Sequence, residues 1–331
     1  MTSSIKTKLT LALVALCGAL SAQAADTRWT FDGAIHNNSL AISPDEQTAV
    51  ASYSERPDLI VYDLAHGTVR AVLQGYVTPR NIVFDPSGRY FYVSDSSLGE
   101  VRKIDSRTLE TVGHLAAGPG AFGTTLSPDG QTLYVNNEAA STVTRFDLPT
   151  GRAQAVVTGF AQPRQGVRVS PDGKTLFVTN FLGDKITLVD TDTNRITGEI
   201  GGFDKIRAIS VTRDGKTLFA ANSGSNTVAV VDVASRHVLR TIPVGRDPYG
   251  AALAPDEKTL YAGNLADNTL SVVSLAEQRT VATIGGFKEP RQAIVFSHDG
   301  RHAFVLNADL SVSKVDLTER RIVSQLSATN H

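Results

Sequence analysis

The chain has 331 residues, with 32 Lys plus Arg against 33 Asp plus Glu, and a net charge of −1 that excludes a general nucleic-acid coat. A single cysteine, Cys17, excludes a disulfide framework, so stability has to come from packing. Chains of this length often form two domains, but closed all-β folds reach it as one.

At the amino terminus Lys6 and Lys8 precede an apolar run from Leu9 to Leu20, and Ala22-Gln23-Ala24 supplies the small-x-small pattern read by signal peptidase. The run falls short of the roughly 20 residues that span a bilayer. Residues 1–24 are therefore expected to be a cleaved signal peptide and residues 25–331 a single exported domain, periplasmic or secreted. Leu16 stands where a lipid-anchoring signal wants a small residue, so Cys17 is expected to leave with the leader. The mature chain then has no cysteine, which excludes thiolate metal sites, haem bound through Cys-x-x-Cys-His and a cysteine nucleophile. Loss of Lys6 and Lys8 takes the net charge from −1 to −3.

The remainder repeats itself. Ser43-Pro44-Asp45-Glu46, Asp85-Pro86-Ser87-Gly88, Ser127-Pro128-Asp129-Gly130, Ser170-Pro171-Asp172-Gly173, Thr212-Arg213-Asp214-Gly215, Ala254-Pro255-Asp256-Glu257 and Ser297-His298-Asp299-Gly300 follow at spacings of 42, 42, 43, 42, 42 and 43. Such a period marks stacked units that cannot bury their apolar faces alone. In the fourth unit Gly166 to Val169, Thr175 to Asn180, Lys185 to Asp190 and Ile196 to Ile200 read as four short strands, a to d, at hairpin distances. Pro and Gly suit the a-to-b turn, where Pro presets φ and Gly takes positive φ. Seven four-stranded antiparallel sheets predict an all-β, seven-bladed β-propeller with strand a innermost.

Two further regularities accompany the period. Four residues before each turn stand Ser39, Asn81, Gly123, Gly166, Ala208, Gly250 and Ala293, small or nearly so, as crowding at the axis requires. Ten residues after each turn start come Asp95, Asn137, Asn180, Asn222, Asn264 and Asn307, with Tyr53 departing, where left-handed backbone is expected as the chain leaves strand b. Thr27-Arg28-Trp29-Thr30-Phe31 aligns with the strand d residues His237 to Ile242, and is expected to join the last blade beside Arg321 to Leu326.

Phe177-Val178-Thr179-Asn180, Tyr134-Val135-Asn136-Asn137 and Tyr92-Val93-Ser94-Asp95, with the Ser-Pro-Asp-Gly turns, resemble the YVTN family of β-propeller repeats over essentially the whole mature chain. An exported seven-bladed member is similar to the YncE-like periplasmic proteins. The resemblance implies a binding or scaffold role and allows nucleic acid as a partner. WD40-like repeats share the period, but no unit carries a Trp-Asp pair and the only tryptophan is Trp29.

A propeller gathers its d-to-a and b-to-c loops on one face, the usual place for a site. The d-to-a entries are basic: Thr78-Pro79-Arg80-Asn81, Gln162-Pro163-Arg164-Gln165, Lys205-Ile206-Arg207-Ala208 and Glu289-Pro290-Arg291-Gln292. Guanidinium groups at one level of a funnel suit bidentate recognition of carboxylate or phosphate. The expected ligand-binding mouth comprises Arg80, Arg164, Arg207 and Arg291, with Gln165, Gln292, Phe122, Tyr249, His36 and Asn38 around it. Arg168, alone among mostly small residues at its level, extends positive potential downward. The bland alternative has these arginines pairing with loop acids such as Asp204 and Glu289. The expected partner is an anionic small molecule or a protein, with the chain monomeric and without cofactor, metal or catalytic residues.

Two rivals follow from propellers of related look. A lactonase-like hydrolase needs an acid/base pair, for which His36 with Glu289 or Asp247 is the best combination. The inner strands carry no Asp or Glu to ligate calcium in the channel. A haem carrier or electron-transfer subunit needs an axial ligand, and only His36 is placed for it. Gly118-Pro119-Gly120-Ala121-Phe122-Gly123 spells a dinucleotide fingerprint but lies between strands, with no helix to follow it. His298 and His302 flank a tight turn on the opposite face and read as surface residues.

Overall fold

Six of the seven a-to-b turns are closed by the first side chain of their motif, and in the turn that begins with Ala254 the aspartate Asp256 accepts from Thr259 N instead. Ser170 Oγ donates to Asp172 Oδ1 at 2.5 Å and accepts from Thr175 N at 2.9 Å, so one hydroxyl ties the turn aspartate to the start of strand b. Thr212 and Ser297 repeat the arrangement. Gly88, Gly130, Gly173, Gly215 and Gly300 take positive φ there, and in blades one and six Glu46 and Glu257 adopt the same φ without the glycine.

A computed structural model describes residues 35–329, in which seven four-stranded sheets follow one another, each antiparallel in the order a-b-c-d. The innermost strands are Asn38–Ile42, Pro79–Phe84, Ala121–Leu126, Pro163–Val169, Ile206–Val211, Ala252–Leu253 and Ile294–Phe296. Successive inner strands adjoin one another around an axis. Asn81 Nδ2 reaches Thr124 O at 3.0 Å, and Ser39 Oγ accepts from Ile82 N at 3.1 Å. The all-β seven-bladed propeller is the observed architecture. In every blade the pairing of strand c with strand d shifts register, as between Leu188 and Val189 or Val230 and Val231, a bulge that sharpens the blade's twist.

The core lies between blades. Seven apolar clusters, one at each junction, fill the spaces between facing sheets. Phe177, Ile186, Leu188 and Ile200 of blade four, for example, pack on Ile206, Ile209, Leu218 and Ala220 of blade five. The small residues of strand a have a specific reason. A Cβ on Gly166 would come 2.3 Å from Thr179 Oγ1 and 2.8 Å from Arg207 O, and one on Gly123 would come 2.4 Å from Arg164 O. The next blade's backbone occupies the room that a side chain would need.

The asparagines that end strand b do not supply left-handed backbone. None of Asp95, Asn137, Asn180, Asn222, Asn264 and Asn307 has positive φ, and all are buried. Asp95, Asn180, Asn222 and Asn307 act instead as clamps between the d-to-a loop and the chain after strand b, while Asn137 and Asn264 donate to strand c only and leave Oδ1 buried without a partner. Asn180 Oδ1 accepts from Ala161 N in the d-to-a loop at 2.8 Å, while its Nδ2 donates to Thr187 Oγ1 on strand c at 2.9 Å. Asn307 likewise joins Lys288 N to Ser313 Oγ. Asp95 accepts from Val77 N and Thr78 N on one side and from Ser97 N and Leu98 N on the other.

Blade seven is completed by Arg321–Leu326 as its outer strand. It meets blade one through Leu40, Ala51, Ile60 and Tyr62 packed on Phe304, Leu306, Leu310 and Val312. The Tyr62 hydroxyl donates to Leu310 O, and Gln292 Nε2 donates to Asn38 O at 2.5 Å. The expected leader and the strand Thr27 to Phe31 lie outside the described residues. Ile35 and His36 belong to a unit separate from the propeller unit that starts at Asn37.

Candidate functional site

The loops that enter strand a bend sharply before the residues they present. Gly120, Gln162, Lys205, Asp247 and Glu289 all have φ between 49° and 77°, and each stands two residues ahead of Phe122, Arg164, Arg207, Tyr249 or Arg291. Four of the five are not glycine. Left-handed backbone costs such residues about 1–2 kcal/mol each, a strain typical of loops that fix a side chain's direction. Strand b of the preceding blade then anchors the presented residue, as Ser52 Oγ donates to Arg80 O at 2.9 Å and Asn136 Nδ2 to Arg164 O at 2.6 Å.

These bends present Arg164, Arg207 and Arg291, while Arg80 follows a loop without one, and each of the four predicted arginines is stacked on an aromatic ring. The Arg80 guanidinium carbon lies 4.5 Å from the Phe122 ring centre. Farther round, Arg164 lies 3.4 Å and Arg207 5.5 Å from Phe181, and Arg207 lies 4.6 Å and Arg291 5.1 Å from Tyr249. The result is an alternating row, Arg164, Phe181, Arg207, Tyr249, Arg291, drawn from four blades. Two guanidiniums that share Phe181 within about 9 Å of each other repel by roughly 2 kcal/mol at an effective dielectric near 20. Each stacking returns about 0.5–1 kcal/mol, so the three stackings of this pair offset a repulsion of that size.

Hydrogen bonding divides the arginines. Arg80 is fully buried, donating to Ser96 Oγ at 2.8 Å and to Asn37 Oδ1 at 3.2 Å, so it sits inside the wall of the face. Arg207 Nε donates to Ser223 Oγ at 3.0 Å, and no carboxylate among the described residues pairs with it. Arg164 Nε lies 3.7 Å from Glu138 Oε1, a carboxylate only 2% exposed. Burial lowers the Arg164 pKa; Glu138 opposes the shift and Arg207 adds to it. Arg291 Nη2 stands 3.7 Å from Glu289 Oε2. Of the two acids named as rival partners, Glu289 is thus placed beside its arginine, while Arg207 takes Ser223 where Asp204 was the alternative.

The partners missed in the sequence share one repeat position. Ser96, Glu138, Phe181 and Ser223 all stand eleven residues after the start of their turn, first in the b-to-c loop. Variation among these residues, set beside the arginines, was the available signal. Arg164, Gln165, Thr179, Phe181, Ile206 and Arg207 enclose a notch of about 10 Å³, the room of a single water or one anionic oxygen.

Below this level an axial cavity of about 320 Å³ runs between the inner strands. Gln165, Gln292, Asn38 and Arg168 line it, with Asn81, Thr124 and Thr125 and an apolar remainder. Asn38 is fully buried, and neither atom of its side-chain amide has a partner. Tyr249 and Phe122 serve as stacking faces. His36 is exposed and falls in the separate unit ahead of the propeller. His298, on an exposed turn, lies 3.4 Å from Glu46. Among the described residues no three or more His, Cys, Asp or Glu gather where they could hold a metal ion, and no helix is long and apolar enough to cross a membrane.

Fold and face together define a seven-bladed β-propeller with an arginine-and-aromatic hub. A family model described as "Lactonase, 7-bladed beta-propeller" matches residues 100–237. Among solved structures, the Kuenenia stuttgartiensis hydrazine synthase is similar to this chain with a TM-score of 0.77 at 20% identity, covering 84% of this chain and 94% of that one. At that identity the likeness is one of fold. No curated protein matches.

Proposed function

We propose that this chain is an exported binding protein of the YVTN, YncE-like type, whose loop-rich face receives an anionic ligand or an acidic partner. One observation carries the reading. Arg164 and Arg207 share Phe181 and one notch, and Glu138 stands beside Arg164 while Arg207 has no carboxylate partner among the described residues. A bound carboxylate or phosphate oxygen in the notch meets that remaining positive charge, because each guanidinium offers charge-assisted donors to it. Arg80 and Arg291, buried in the wall, hold aromatic neighbours in place and shape the face.

The test is a pair of charge reversals, Arg164→Glu with Arg207→Glu, assayed on immobilised phosphate, citrate and duplex DNA. Wild-type protein is expected to be retained on at least one of them in a salt-dependent way, and the double variant, folded by circular dichroism though less stable because a second carboxylate stands beside Glu138, to pass through. Equal retention of both proteins overturns the reading.

A second reading, a lactonase-like hydrolase, is favoured by a particular geometry as well as by the family match. Glu138 gives the face a buried carboxylate beside a guanidinium, a pair able to work as base and oxyanion partner. Turnover of any member of a lactone panel by wild type, lost in Glu138→Gln, would favour it over binding alone.

A further inference from the structure

The axial cavity poses a charge problem of its own, apart from the face above it. Among the described residues, Arg168 is the one charged residue that lines it. Arg168 Nη1 donates to Val167 O at 2.8 Å, and no carboxylate among the described residues lies within 4 Å of its guanidinium. A guanidinium carries five N–H donors, so most of its capacity faces the cavity. Burial pushes its pKa down, with no neighbouring charge to oppose the shift. Its surface stays accessible because the cavity beside it is open, while protein surrounds it on the other sides.

The rest of the lining describes what would fit. Gln165, Thr124, Thr125 and Asn81 give the cavity wall hydrogen-bonding groups, while the Asn38 amide and Gln292 Oε1 are buried beside it without a partner. Ile82, Val83, Ile209, Ile294 and Val295 make the remaining wall apolar. A single positive charge matches one negative charge; a second carboxylate would be desolvated with no cation to meet it. The volume, about 320 Å³, lies at the small end of ligand cavities.

We propose that this cavity is a binding site for a small monoanionic organic acid, its carboxylate on Arg168, its polar substituent on Gln165, Thr124 or Thr125 and its hydrocarbon part against the isoleucine and valine wall. The site is distinct from the notch between Arg164 and Arg207 and does not depend on it.

Calorimetric titration of the purified protein with butyrate, lactate and benzoate, against succinate and chloride, tests the proposal. At least one monocarboxylate is expected to bind saturably at one site, and Arg168→Met to weaken it about tenfold or more, the loss of a charge-assisted pair. Arg168→Lys, which keeps the charge, should retain part of the affinity. Arg164→Gln with Arg207→Gln should leave the Arg168-dependent part of monocarboxylate binding unchanged, which separates this site from the face. The ligand-free Arg168→Met protein should melt at the same temperature as wild type or higher, since an uncompensated charge has been removed, whereas a purely structural arginine would lower it. No monocarboxylate binding beyond chloride, undiminished binding by Arg168→Met, or binding lost in the Arg164 and Arg207 variant would each overturn the proposal.

Discussion

Phe181 serves two cations at once, 3.4 Å from the guanidinium carbon of Arg164 and 5.5 Å from that of Arg207. Its quadrupole makes the arrangement tolerable, since a ring face attracts a cation where a plain hydrocarbon only covers it. Phe181→Leu keeps most of the apolar contact and removes the quadrupole. It is expected to cost about 1–2 kcal/mol of stability, the worth of two stackings. A double-mutant cycle with Arg207→Met, read by urea unfolding, should give a coupling of about 0.5–1 kcal/mol, because the arginine loses its partner in either single variant. Strict additivity would mean that the two side chains are merely adjacent.

At the scale of the element, strand a is shaped by what lies beside it. Gly166 belongs to Pro163–Val169, and any Cβ there meets Thr179 Oγ1 at 2.3 Å and Arg207 O at 2.8 Å. The opposing atoms include backbone, which cannot turn aside. Gly166→Ala should therefore destabilise by about 1–3 kcal/mol, the usual effect of overpacking, whereas a glycine-to-alanine change in relaxed backbone would stabilise. A melting temperature equal to wild type or above it would refute the assignment. The same strand shows how far the sequence could be read. Spacing of the turns revealed every blade, since turn chemistry is local and repeats. The arginines were also visible, because they recur at one place in the d-to-a loops. Their partners were not, since Glu138 reaches Arg164 and Phe181 reaches Arg207 across blade boundaries, and Ser223 meets Arg207 within one blade but sixteen residues away along the chain. The strand-ending asparagines were seen but given the wrong task. Asparagine suits both left-handed turns and buried clamps, and only Asn180's contacts with Ala161 and Thr187 decide between them.

The described residues form a ring of seven like junctions. Among the described residues each blade is a contiguous stretch of chain, and blades one and seven meet by side-chain packing and a few hydrogen bonds. That junction has the same kind of buried apolar cluster as the others, so nothing marks it as a weak seam. Leu306, in the closing junction, and Leu218, between blades four and five, are both fully buried. Truncating either to alanine removes comparable burial and leaves a comparable cavity, at a cost of about 2–5 kcal/mol. Loss at one junction should propagate round the ring, because every blade needs two neighbours to cover its faces. Both variants are therefore expected to unfold in one cooperative transition, shifted by similar amounts in calorimetry. A separate low-temperature transition in Leu306→Ala, absent from Leu218→Ala, would show instead that blades one and seven part first and that the ring opens there before it melts.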